Sequence, residues 1–257
     1  MTTVTTLTER YQDVMRRVRE ATARAGREGE PIHVVAVTKF AEIHDIRELI
    51  ALGHQDFGEN RVQQLTQRAA VIQEGLERRR AMRETAGDDD PNAVRWHMIG
   101  HLQRNKVAKC VPHVRLIHSV DSLRLVEELQ AYAVKRDIDV DVLVQVNCSG
   151  EASKFGCAVP AAQHLCEQID LTGNIHIRGL MTIAPYAQDP EDARPTFSRC
   201  RELFDDIAKL DLGDGRFNIL SMGMTGDFET AIDCGANVLR IGSAIFGTKP
   251  VEDDEPE

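Results

Sequence analysis

Short apolar runs alternate along this chain with stretches whose hydrophobic residues recur at helical spacing. Leu7, Tyr11, Val14, Val18, Ala21 and Ala25 predict an amphipathic helix that Gly26 ends. From Pro31 the rhythm changes. Pro31-Ile-His-Val-Val-Ala-Val-Thr-Lys-Phe40 is a valine-rich run that reads as a buried strand over about 32–38. Ile43, Ile46, Leu49 and Ile50 return to helical spacing before Gly53. Further strands are expected at Asp56–Gly58, 95–99, 115–117, 139–147, 175–180, 217–220 and 237–241. Between them, helices are expected over about 61–83, near Gln103, through Leu125 and Leu129 after a cap at Asp121 or Ser122, over about 191–210, from near Asp227, and after the last strand. In the fifth strand Val140, Val142, Val144 and Val146 share one face, while Asp141, Leu143, Gln145 and Asn147 share the other. Such a strand suits a closed parallel barrel, where both faces are covered and polar groups near the carboxyl end meet ligands.

Eight strand candidates, nearly all followed by a helix, predict an α/β protein: a single TIM-like (β/α)8 barrel with an extra N-terminal helix. The expected division is 1–30 for that helix, packed on the barrel, 31–248 for the barrel, and 249–257 for an acidic, disordered tail. Gly87-Asp-Asp-Asp-Pro91 reads as a loop after a strongly charged helix end.

Composition narrows the picture. A length of 257 residues suits one barrel, and a net charge of −10 argues against a general nucleic-acid binder while leaving room for a local phosphate pocket. No apolar run approaches the ~20 residues that span a bilayer, and the start lacks the apolar core of a secretory signal. A cytoplasmic protein with no membrane partner is expected. The six cysteines show no CxxC spacing and read as reduced packing residues. His97, His101 and His118 lack a carboxylate that would complete a ligand set, so no metal is expected.

Chemistry in such a barrel gathers at the carboxyl ends of the strands. Lys39 stands after the first strand. A lysine there either reaches to water or, desolvated, offers a neutral amine that forms a Schiff base with an aldehyde. Ser221-Met-Gly-Met-Thr-Gly-Asp227 is glycine-rich and opens a helix, as do Gly242 and Ser243. Exposed amides at such turns bind phosphate, and the loops after strands seven and eight are the usual phosphate site of this architecture. Arg240, ending an apolar strand, either caps the mouth or donates to a ligand.

The segments VAVTK (35–39), DFGEN (56–60), WHMIGHLQRNK (96–106), IHSVDS (117–122), VQVNCSGEASKFG (144–156), GLMTI (179–183), SMGMTGDFETAI (221–232) and RIGSAIFG (240–247) occur in an order that resembles the pyridoxal-phosphate homeostasis proteins. The resemblance implies a barrel of the alanine-racemase N-terminal-domain type holding pyridoxal 5′-phosphate (PLP). Lys39 matches the family's Schiff-base lysine and Arg240 the arginine that faces the pyridine nitrogen. Ser221, Thr225, Gly242 and Ser243 match the phosphate-binding segments. Asn60, Met222 and Gly223 match positions that line the cofactor. No catalytic residue is implied: relatives are regarded as buffering or delivering PLP, with apo PLP-dependent enzymes as recipients, and a monomer is expected. The alternative is an amino-acid racemase, which would need a second base that the sequence does not present. Phe40-Ala-Glu, Arg61 and the arginine-rich stretch at 77–91 depart from the family pattern at the rim.

Overall fold

The computed structural model describes residues 5–81, 93–151 and 154–247. The loop expected at 87–91 and the acidic tail lie outside the described residues. Nine parallel strands are described: β1 (His33–Val37), β2 (Asp56–Glu59), β3 (Arg95–Met98), β4 (Val114–Val120), β5 (Val140–Asn147), β6 (Cys157–Ala158), β7 (Ile175–Met181), β8 (Ile219–Ser221) and β9 (Val238–Ile241). The helices are α1 (Leu7–Arg24), α2 (Ile43–Ala51), α3 (Val62–Ala81), α4 (Val107–Cys110), α5 (Leu123–Arg136), α6 (Val159–Asp170), α7 (Arg194–Ala208), α8 (Phe228–Asp233) and α9 (Ser243–Phe246). Strand order runs β4-β3-β2-β1-β9-β8-β7-β5, and pairing of β4 with β5 closes the ring, while β6 adds only to the carboxyl end of β5. The eight expected strands are therefore the eight staves of the barrel.

The alternation read in β5 is the division between two cores. Val140, Val142, Val144 and Val146 join the large apolar layer between strands and helices. Leu143, on the opposite parity, meets Leu116 and Met181 in a small cluster inside the ring. The rest of the interior is largely polar: His97, His118, Gln145, Ser221 and Arg240 are all buried. The outer layer carries the hydrophobic stabilisation, at roughly 1.5–3 kcal/mol per fully buried aliphatic side chain. The interior is left for polar work.

Helix α1 begins with a reciprocal cap, in which Glu9 N–H donates to Thr6 Oγ1 and Thr6 N–H to Glu9 Oε2. It lies on the final βα units. Arg10 Nε donates to Ile245 O at 2.8 Å, Arg17 pairs with Glu229 at 3.1 Å, and Arg27 Nη1, just beyond the helix, reaches Ile232 O and Ala236 O. Among the described residues, no helix is long and apolar enough to cross a membrane.

Three local expectations are corrected. β1, expected over about 32–38, ends at Val37, and Lys39 sits in a single 3-10 turn, Thr38–Phe40, rather than on the strand. The strand expected at 217–220 begins at Ile219; Phe217 instead stacks on Phe204 at 4.9 Å and anchors the preceding loop. Ser122 takes the cap position of α5, but its side chain makes no capping bond. Helix α6 was not anticipated, although Ala162, Leu165, Cys166 and Ile169 lie on one buried stripe and Pro160 suits its first turn.

Candidate functional site

The turn carrying Lys39 is held from behind. Glu59, at the end of β2, is fully buried and accepts from Thr38 Oγ1 and from Arg68 of α3. Arg68 also donates to Thr38 O at 2.5 Å and Ala41 O at 2.8 Å. One guanidinium therefore grips the carbonyls on both sides of Lys39. This suits arginine, whose planar fork serves several acceptors at once. Lys39 itself is half-buried, with Nζ 4.9 Å from the centroid of the Phe40 ring.

Register sets what stands beside Lys39. Ala36 pairs with Ile241 on one side and Val37 with Gly58 on the other. Gly242 and Ser243 follow Ile241 directly, and Asn60 is two residues beyond Gly58. Both groups thus emerge at the same carboxyl mouth as Lys39. A Cβ on Gly242 would lie 3.2 Å from Val37 O, so glycine lets these backbones approach. Asn60 Oδ1 is buried and has no hydrogen-bond partner among the described residues. Such an orphan acceptor is costly unless something fills it.

The loops after β8 and β9 meet at Thr225, whose Oγ1 accepts from Ser243 Oγ at 3.2 Å and from Ala244 N at 3.3 Å. Asp227 Oδ1 accepts from Met224 N at 2.6 Å and closes the turn. Gly223 has φ +88°, and a Cβ there would strike Ala231 Cβ at 2.6 Å. Met222 does not face the mouth: its side chain is buried in the outer layer and its N–H bonds Val238 O. What that turn offers a ligand begins at Gly223.

Arg240 is buried inside the ring, donating Nη1 to Ser221 Oγ at 2.6 Å and Nη2 to Thr182 O at 2.9 Å. Burial pushes its pKa down to about 10, opposed by the nearby Asp227 carboxyl, so it stays a cation and a donor at neutral pH. Ser221 Oγ also meets His118 Nδ1 at 3.0 Å. Its hydroxyl is thus taken up below the mouth, deeper than the Thr225 and Ser243 pair. Burial, reinforced by the nearby Arg240 guanidinium, holds His118 well below the usual imidazole range. Among the described residues, no cluster of three or more His, Cys, Asp or Glu is arranged to hold a metal. Sequence reading missed Glu59 and Arg68, and it left His118 without a role.

The donor set fits a phosphorylated aromatic aldehyde. It combines an amine at Lys39, hydroxyls and an amide around Thr225 and Ser243, an unsatisfied acceptor at Asn60, and a buried permanent cation in Arg240. Residues 11–250 match the family model described as alanine racemase, N-terminal domain. A pyridoxal phosphate homeostasis protein of Aquifex aeolicus is 37% identical over 245 residues, covering 94% of this chain and 97% of its own. An unknown protein from Bifidobacterium adolescentis superposes with a TM-score of 0.83 at 40% identity, covering 93% of this chain and 94% of that one. PipY of Synechococcus elongatus with PLP bound gives a TM-score of 0.71 at 29% identity over 90% of this chain and 100% of that one. The chain therefore belongs to the pyridoxal phosphate homeostasis proteins, a branch of the alanine-racemase-type barrels.

Proposed function

We propose that this chain holds PLP and serves as a carrier that buffers or delivers it. Lys39 Nζ condenses with the cofactor aldehyde, forming a C=N bond and releasing water. Ser243, Thr225 and the adjoining amides take the phosphate, with Gly242 giving the close approach. Asn60 and the turn from Gly223 onward border the ring. Arg240 donates to the ring nitrogen, and Ser221 serves by holding Arg240.

The observation that carries this reading is the buried Arg240 at the mouth shared with Lys39. A guanidinium gives up its proton far less readily than a pyridinium, so the ring nitrogen stays unprotonated. An unprotonated ring is a weak electron sink, which suits holding the cofactor more than turning over amino acids. Apo PLP-dependent enzymes are the proposed recipients, with the protein acting as a cytoplasmic monomer.

Incubation with PLP, borohydride reduction and peptide mapping test the assignment. The reduced label is expected on Lys39 and absent from Lys39→Ala. A label on another lysine would refute it. Transfer of bound PLP to apo-enzymes, compared with free PLP at equal concentration, tests delivery; rapid exchange of the alanine α-proton would favour the racemase reading instead.

A further inference from the structure

A line of polar side chains descends through the barrel beneath Arg240. Arg240 Nη1 donates to Ser221 Oγ at 2.6 Å, and the same oxygen lies 3.0 Å from His118 Nδ1. His118 Nε2 is 3.0 Å from His97 Nδ1, and His97 Nε2 is 3.1 Å from Asp56 Oδ1. These five residues come from β9, β8, β4, β3 and β2, so the line crosses the interior from one mouth to the other. Asp56 stands at the amino end of β2 and borders a cavity of about 350 Å³ at the far mouth. There Arg95 donates to its two oxygens at 2.7 and 2.6 Å.

With one proton on His97, the two ends fix the direction of every bond. An ionised carboxylate only accepts, so His97 Nε2 donates to Asp56. With its single proton there, His97 Nδ1 accepts, and His118 Nε2 must donate to it. His118 Nδ1 is then an acceptor and takes the Ser221 hydroxyl proton. Ser221 Oγ is left with its lone pairs toward Arg240, which can only donate. No bond in the line has two donors or two acceptors. The opposite setting would need a second proton on His97. His118 would then turn an Nδ1–H toward Ser221, and the serine's own hydroxyl proton would have no acceptor left in the line.

We propose that Asp56, His97 and His118 are positioning residues for Arg240. They fix the Ser221 hydroxyl as an acceptor and so orient the guanidinium from the opposite mouth of the barrel. The consequence for bound cofactor rests on the reading of Arg240 given above; the proton pattern does not.

The test uses the full chain labelled with 15N-histidine, where long-range 1H–15N correlations report which ring nitrogen carries the proton. Near neutral pH, without cofactor, both His97 and His118 are expected as Nε2–H tautomers. Asp56→Ala removes the terminal acceptor and frees the His97 tautomer. It should also weaken PLP binding roughly three- to tenfold, the weight of one ordinary hydrogen bond, and change the absorbance of bound PLP. Asp56→Asn, whose amide oxygen still accepts from His97, should restore tautomer and spectrum. Arg95→Gln removes the ion pair but leaves the Asp56 carboxyl in place to accept from His97, and should lower the unfolding midpoint while leaving tautomers and spectrum as in the wild type. A His118 proton on Nδ1, or identical behaviour of Asp56→Ala and Arg95→Gln, overturns the proposal. If the wild type takes up no PLP, the functional reading fails, and the tautomer pattern alone decides whether the line orients Arg240.

Discussion

Replacing Arg68 by methionine should be among the most damaging changes that do not touch the ligand mouth. Glu59 is fully buried, and the Arg68 side chain keeps only 15% of its exposure. Arg68→Met therefore strands a carboxylate inside the protein with the Thr38 hydroxyl as its remaining donor among the described residues. Breaking a buried pair from one side costs about 3–5 kcal/mol, a large share of the ~5–15 kcal/mol that holds a typical domain together. With a slope near ~3 kcal/mol per molar, the urea midpoint should fall by about 1 M or more. Glu59→Met combined with Arg68→Met leaves no orphan charge and should recover most of that stability. It should not recover function. Thr38 O and Ala41 O would still lack their donor, the Lys39 turn would be free to move, and PLP affinity should stay about tenfold down, the weight of one to two hydrogen bonds. Urea unfolding and absorbance titration with PLP measure the two effects separately. An Arg68→Met cost under ~1 kcal/mol, well short of the figure for a broken buried pair, with unchanged PLP affinity, would refute the idea that this pair braces the turn.

Thr225→Ala together with Ser243→Ala should weaken binding of PLP far more than of phosphate-free pyridoxal, by about tenfold or more if each hydroxyl donates to a charged phosphate; equal losses for both ligands would remove the phosphate assignment. Burial alone would raise the Asp56 pKa, but hydrogen bonds from His97 and Arg95 outweigh it and hold the carboxyl well below the ordinary range. A depressed folded value stabilises the protein above the unfolded value of ~3.9, and that contribution is lost as pH falls toward the folded one. The urea-stability gap between wild type and Asp56→Asn should thus be full near about pH 6 and shrink progressively as pH falls below about 4; a gap that does not change with pH would count against the assigned hydrogen bonds.

The barrel was legible because its strands are short and rich in β-branched residues, and because β5 displays both parities over eight residues. The mouth was legible because the fold class itself says where ligands gather. What stayed hidden depends on contacts between elements. Glu59 and Arg68 read as an ordinary strand end and an ordinary helix arginine; only the packing of α3 on β2 brings them to the Lys39 turn. The line beneath Arg240 joins five strands, and spacing along the chain carries no trace of it. A partial signal existed, since His97, His118, Ser221 and Arg240 are polar residues within otherwise apolar runs. The expected strand over about 32–38 stops short for a local reason: β1 ends at Val37, and a 3-10 turn replaces strand geometry within one residue.

The way α1 clasps α8 and α9 carries a consequence for assembly on the ribosome. Its contacts to Glu229 and Ile245 join residues 212 and 235 positions apart. The helix emerges before any strand of the barrel, yet its partners are translated last. Contacts this distant close late and slowly. The proposed phosphate seat lies on those same late elements, after β8 and β9, so it is complete only once the last staves of the barrel are made.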